Sequence, residues 1–362
     1  MPPTPDLLRI GYVPLTDAAP LVAAEALGLF ARHGVRVRLS REQSWAALRD
    51  KLAFGALEGA QMLGPLVLAL AAGAGGLRRR LTVSAGLARN GNTVILSPAL
   101  AAQVGPFLPP LGAPAFAEAL RRRAETGLPP PTFAVVFPHS SHNLLLRHWL
   151  ASGGLDPDHD LRLVVVPPPR VAEALAQGAI EGFCAGEPWG SHAVAQGVGR
   201  FALATGDIWP DHPEKVLAWA EGLAETREEE VLRATAAVIE AAQWLEAPAN
   251  RPAAARLLQE RVFPELPLST IAAALAGRVA GCAAPLAAPL RFAAASRPVK
   301  GEAAAWLAAM RRWEHLPADT PETAAGWRAD LWDRAAARLP APPAPGRAAP
   351  SPLLAIAKET DA

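Results

Sequence analysis

From Leu8 to about residue 204 the chain alternates short apolar runs with stretches of roughly 10–15 residues at helical spacing, a rhythm that sheets flanked by helices satisfy. Leu8–Val13, Val35–Leu39, Leu81–Leu87, Thr93–Leu96, Thr132–Phe137, Leu161–Val166 and Ile180–Cys184 read as strands. Leu21–Phe30, Ser44–Phe54, Ser141–Ala151, Arg170–Gln177 and a segment from Glu187 onward read as helices. Ser44 stands where a helix N-cap is needed, with Trp45, Leu48 and Leu52 along one face behind it. This alternation argues for parallel sheets, and the unbroken Val164-Val165-Val166 run for a strand buried on both faces. From about Thr205 the chain reads as helical, with Glu225–Trp244 and Glu302–Trp313 the clearest segments.

The length of 362 residues fits two lobes. The polar turn Arg89-Asn90-Gly91-Asn92 is where the chain is expected to pass from one to the other. The expected division is one lobe from residues 7–88 and 205–335, a second from 93–203, and a Pro/Ala-rich tail, 336–362, whose composition does not offset ordering entropy.

Charge excludes one class of function. Against 34 acidic residues stand 35 Lys and Arg, so no basic surplus exists to neutralise a phosphate backbone, and direct nucleic-acid binding is not expected. The Arg78–Arg80 and Arg121–Arg123 runs are read as solvated helix ends. The uncharged stretch Gly59–Leu77 carries Gln61, Pro65 and several glycines, which fits a buried helix with its exit turn better than a membrane span. The start Met1-Pro2-Pro3-Thr4-Pro5-Asp6 lacks the pattern of a secretory signal, and a cytoplasmic location is expected on that ground.

Enzyme chemistry has thin support. Gly73-Ala74-Gly75-Gly76 follows a helical run rather than a strand, so it is no phosphate loop. Cys184 sits at a strand end but reads as a small buried hydrophobe, and His139 and His142 form an HxxH with no third ligand signalled. No catalysis, metal or cofactor is expected. A scattered set remains: Trp45, Asn92, His142, the main chain around Gly186, and Lys215, each at an expected strand end, helix start or loop. Each offers a hydrogen-bond donor, which suits a small acceptor-only anion. Lys215 is one of only four lysines, beside Lys51, Lys300 and Lys358, in a chain that otherwise uses arginine.

Several segments carry a family resemblance: Tyr12-Val13-Pro14-Leu15-Thr16-Asp17-Ala18-Ala19-Pro20-Leu21, Ser44-Trp45 with Arg49-Asp50, Gly59-Ala60-Gln61-Met62-Leu63, Val166-Pro167-Pro168-Pro169, Phe183-Cys184-Ala185-Gly186-Glu187-Pro188-Trp189 and Asp211-His212-Pro213-Glu214-Lys215. With them the chain resembles the NrtA/CmpA/NasS group of nitrate- and bicarbonate-binding proteins, from about residue 8 to about residue 330. The resemblance implies an α/β, type II periplasmic-binding-protein fold, two lobes closing on a small oxyanion, with a helical C-terminal part. It implies that the anion is held by Trp45, Asn92, His142, the main chain at Ala185 and Gly186, and Lys215. Lys215 matches the nitrate branch, whereas the bicarbonate branch has an acidic residue there and recruits a metal ion. The chain departs from the group in having Asn92 for a glutamine, and His139-Ser140-Ser141-His142 for a Gly-Gly-Thr-His pattern. Taken with the N-terminus, the resemblance points to a cytoplasmic nitrate/nitrite sensor that controls an ANTAR-type RNA-binding antiterminator. The alternative is the solute-binding receptor of a nitrate or related oxyanion ABC transporter.

Overall fold

The computed structural model describes residues 7–280, 282, 284–292, 297–317, 320 and 326–339. Two five-stranded sheets organise them. The first contains β1 (Leu8–Tyr12), β2 (Val37–Arg41), β3 (Gly59–Leu63), β4 (Thr82–Gly86) and β10 (Lys215–Trp219), in the order β2-β1-β3-β10-β4. The second contains β5 (Asn92–Leu96), β6 (Thr132–Val135), β7 (Arg162–Val165), β8 (Gly182–Gly186) and β9 (Arg200–Ala204), in the order β7-β6-β8-β5-β9.

The sheets are mixed rather than parallel. β10 runs antiparallel to both β3 and β4, and β5 antiparallel to both β8 and β9. Each of these strands is entered from the other sheet, so it starts at the edge where the parallel strands end. That reversal brings the first residues of β5 and β10, Asn92 and Lys215, level with the carboxyl ends of β8 and β3. In open α/β sheets this edge is where ligands bind.

Three local readings change. Gly59–Leu77 is not one helix: β3 comes first, followed by the helix Gly64–Ala72. Both pieces are buried, so the run has no alternation by which to separate them. Val164-Val165-Val166 lies at a sheet edge, where β7 has only β6 beside it, and Val165 is 52% exposed. Arg123 is not a solvated helix end; it is buried and donates from Nη1 to Glu181 Oε1 at 2.7 Å and from Nε to the Pro129 carbonyl at 2.7 Å.

Gly59 is dictated by packing, since a Cβ there meets the Trp219 ring at 2.7 Å. Behind the first sheet the helix Glu228–Glu246 buries Val231, Leu232, Thr235, Val238, Ile239, Ala242 and Leu245, the i, i+3, i+4 stripe of a core helix. Its Thr235 hydroxyl meets Ser84 Oγ at 2.8 Å, and Ser84 accepts from Trp219 Nε1 at 2.8 Å, so these buried polar groups satisfy one another.

The chain passes between the sheets in two segments that lie side by side. Asn90 N donates to the His212 carbonyl at 3.1 Å, Glu214 N to the Ala88 carbonyl at 3.1 Å, and Leu87 N to the Lys215 carbonyl at 2.7 Å. Arg89 is bridged to Pro213 and Arg291. Most of the tail expected at 336–362 lies outside the described residues; Ala336 closes the helix Ala329–Ala336. Among the described residues no helix is long and apolar enough to cross a membrane.

Candidate functional site

Two walls face each other across the gap between the sheets. On the first, Thr16 and Asp17 follow β1, Gln61 lies in β3, Lys215 opens β10, and Trp45 opens the helix Trp45–Ala53. Ser44 caps that helix, its hydroxyl accepting from Ala47 N at 3.2 Å. Arg49, one turn after Trp45 on the same face, lies over the Phe137 ring of the second wall at 5.7 Å, so this helix end reaches the opposite lobe. On the second wall stand Asn92, His142 in the first turn of the helix Ser141–Ser152, and Ala185 and Gly186. Ser140 caps this helix, accepting from Asn143 N at 3.1 Å. The register of β8 with β6 ends at Cys184, so Ala185 and Gly186 continue beyond it toward the gap.

The lobes are latched across the gap. The Glu187 carbonyl accepts from Thr16 N at 2.8 Å and Thr16 Oγ1 at 2.9 Å, and Trp189 Nε1 donates to the Pro14 carbonyl at 2.9 Å. Burial raises the Glu187 carboxyl, which accepts from Thr93 Oγ1 and Ser191 N at 3.1 Å each.

At the centre lies a fully buried charge cluster. Lys215 Nζ is 2.8 Å from Asp17 Oδ2, 2.6 Å from Glu214 Oε2, 3.3 Å from Asn92 Oδ1 and 3.4 Å from His142 Nε2. Asn92 Nδ2 donates to Glu214 Oε1 at 2.6 Å, and Gln61 Nε2 donates to Asp17 Oδ1. Gln61 is itself fixed, its Oε1 accepting from Val13 N at 2.8 Å.

Ionisation follows from this arrangement. Burial opposes the charge on Lys215, but the two carboxylates outweigh it and keep the ammonium protonated. Burial also opposes charge on Glu214, yet the Lys215 ammonium beside it holds its carboxyl down at about 2. At Asp17 burial wins over Lys215 and the carboxyl is raised. Burial, and then Lys215, push His142 well below the usual imidazole range, so the ring is neutral.

The His142 tautomer is set by its neighbour. An ammonium only donates, so the Nε2 facing it accepts and the proton of the neutral ring is on Nδ1. Among the described residues that Nδ1–H is buried without a partner, and so is the Trp45 Nε1–H. A buried donor without an acceptor costs about 1–3 kcal/mol.

The site residues read from the sequence thus divide. Lys215, Asn92 and His142 meet at the centre; Ala185 and Gly186 form the main chain beside Asn92, and a Cβ on Gly186 comes within 3.4 Å of Asn92 Oδ1. Trp45 stands on the facing wall with its donor unused. Lys215 is paired with Asp17 and Glu214, and the Asn92 amide gives a hydrogen to Glu214. Asp17, Gln61, Glu214 and His212 lie in the segments that carry the resemblance, but the sequence reading gives them no part in holding the anion. Asp17 and Gln61 each stand as a polar side chain inside an apolar run, which is rare without a purpose in the fold, whereas His212 and Glu214 lie in a polar run and carry no such signal.

Cys184 is buried in β8, and burial raises its thiol far from the thiolate form that a nucleophile needs. Among the described residues no group of three or more His, Cys, Asp or Glu is placed to hold a metal ion.

Two lobes on mixed sheets, a buried polar centre between them and strand ends converging on it define a solute-binding architecture. The profile of the NMT1-like family matches residues 1–259, and the chain belongs to that family. The bicarbonate-binding protein CmpA of Synechococcus elongatus is 31% identical over 361 residues, covering 93% of this chain and 79% of CmpA. The nitrate import ATP-binding protein NrtC of Synechocystis is 43% identical over 216 residues, 59% of this chain, which spans about a third (31%) of NrtC. The crystal structure of the periplasmic nitrate-binding protein NrtA from Synechocystis superposes with a TM-score of 0.85 at 30% identity, covering 93% of this chain and 90% of that one. The fold is therefore the periplasmic-binding-protein fold expected from the resemblance.

Proposed function

We propose that the chain binds a small monovalent oxyanion of the nitrate class between its lobes, as the solute-binding component of an uptake system. The observation that carries this reading is the pair of buried, unpartnered N–H donors, Trp45 Nε1 and His142 Nδ1. Groups so placed call for an acceptor, and an oxyanion supplies acceptors only. The Lys215 ammonium adds charge 3.4 Å from His142 Nε2. The names of the relatives, a nitrate import protein, a bicarbonate-binding protein and a periplasmic nitrate-binding protein, support the same class of ligand. They favour the receptor of a transport system over the sensor that controls an antiterminator, which has no counterpart among these three relatives.

The test is a thermal-shift titration of the purified chain with nitrate, nitrite, bicarbonate and an alkyl sulfonate at matched ionic strength. A ligand of the folded state at about 100 times its Kd adds roughly 2.7 kcal/mol of stability. A rise with nitrate or nitrite, lost in Lys215→Glu, is expected; no rise with any of the four overturns the reading. Binding of the loaded chain to a membrane permease in reconstituted vesicles tests the transport role, and its absence alongside tight anion binding overturns that part alone.

A further inference from the structure

The charges at the centre do not balance for a bare anion. Asp17 and Glu214 both contact the Lys215 ammonium, and all three are buried to within 2% of completely. Among the described residues the other titratable groups around them bring no further unpaired positive charge; Arg297, which lines a cavity with Glu214 and Lys215, is paired with Asp333 at 2.8 Å. From the second lobe, His142 turns a lone pair toward the ammonium. From the crossing segment, His212 Nδ1 faces two acceptors, Glu214 Oε1 and the Pro213 carbonyl, each at 3.3 Å, and its Nε2 meets the Thr205 hydroxyl at 2.8 Å, which suits a neutral ring. Arg89, in the adjoining segment, is engaged by Glu302 and the Asp211 carbonyl. Cys184, on β8, is a neutral thiol, and Glu187 lies beyond it in its own hydrogen bonds.

With both carboxylates ionised the cluster carries one net negative charge. A monovalent anion added beside it makes two, with no solvent to screen them. The two carboxylates are not equivalent. Glu214 accepts from Asn92 Nδ2 and Lys215 Nζ and has the His212 Nδ1 within 3.3 Å, whereas among the described residues Asp17 accepts from Gln61 and Lys215 alone. Asp17 is therefore the easier one to neutralise.

We propose that the anion enters the cleft together with one proton from solvent, which lodges on Asp17. The Lys215–Asp17 ion pair becomes a contact with a neutral carboxyl, and Lys215 keeps Glu214 as its ionised partner. The charge released on the ammonium turns to the ligand, and Asp17 gains an O–H donor next to the ammonium. The net charge of the cleft is the same before and after binding. Asp17 thus acts as a specificity-determining residue that makes affinity for an acceptor-only anion follow pH. This inference rests on the oxyanion reading above.

The experiment is calorimetry of the full chain with sodium nitrate in two buffers of different ionisation heat, and the nitrate Kd measured from pH 5.5 to 8.5. Proton uptake approaching one per nitrate, with Kd rising up to tenfold per pH unit in the upper part of that range, is expected. Asp17→Asn, which mimics the protonated carboxyl, is expected to bind nitrate without proton uptake and with a Kd that no longer follows pH. Nitrate binding without proton uptake and with a flat Kd in the unmodified chain overturns the proposal, as does full proton uptake persisting in Asp17→Asn. Failure of nitrate to bind at any pH overturns the oxyanion reading and this inference with it.

Discussion

Asn92 and Glu214 join the two sheets at the centre of the cleft: the amide of the first residue of β5 donates to the carboxylate just ahead of β10 at 2.6 Å. The bond belongs to the closed arrangement of the lobes, because its partners move apart if the sheets separate. A hydrogen bond to a charged group contributes about 1.5–3 kcal/mol. Asn92→Leu is expected to weaken nitrate binding by roughly ten- to hundredfold, the equivalent of that energy, in a calorimetric titration. An unchanged Kd would show that closure does not depend on this bond.

Lys215 compensates two buried carboxylates, so its loss has a structural effect beyond the ligand. Lys215→Met is expected to abolish anion binding and to lower stability by about 3–5 kcal/mol, the cost of leaving buried charge unpaired. Adding Asp17→Asn and Glu214→Gln to the same chain removes that buried charge and is expected to restore much of the stability without restoring binding. Denaturant melts of the single and triple variants separate the two effects.

Trp45 is 1% exposed and its indole N–H has no partner among the described residues. Trp45→Phe keeps an aromatic body while removing only that donor and some volume. The ligand-free chain is expected to lose no more than about 1–3 kcal/mol, and nitrate affinity is expected to fall roughly tenfold, the worth of one hydrogen bond. Equal affinity in the two chains would make the indole part of the packing alone.

His142 ties stability to pH with a definite sign. Its folded-state value is pushed below the ordinary imidazole value of about 6.5 by burial and by Lys215, so the folded chain holds the ring neutral while the unfolded chain protonates it. That contribution is fully present above about pH 6.5 and is lost as pH falls, by up to about 1.4 kcal/mol per unit until the folded value is reached. His142→Gln removes it. Chemical melts at pH 7 and pH 5 are expected to show a smaller loss in the variant than in the unmodified chain, and equal losses would mean the ring is protonated in the fold.

Much of this architecture was legible in the order of strands and helices, because amphipathic spacing and helix caps such as Ser44 and Ser140 are local properties. Mixed strand direction was not. β10 is five residues long, Lys215–Trp219, all buried, and sits in a stretch otherwise helical, so neither period nor alternation announces it. Its direction depends on the chain returning from the other sheet, which is a tertiary fact. The same limit applies to the site. Lys215 and His142 stand out by type, whereas the roles of Asp17, Gln61 and Glu214 exist only through their neighbours: each lies in a short run that contacts another part of the chain more than forty residues away or the adjacent lysine.

The paired crossings between the sheets have a mechanical meaning. Two antiparallel tethers, fastened to each other at Asn90–His212 and Ala88–Glu214, behave like the leaves of a door hinge. They permit rotation about one line and resist sliding or twisting. The lobes therefore have one main way to move, and Asn92 and Lys215, at the ends of those tethers, sit close to its axis. Groups near an axis travel little, so a small separation at Asn92 and Glu214, enough to part their bond, accompanies a much wider opening in the parts of the lobes farther from the crossings.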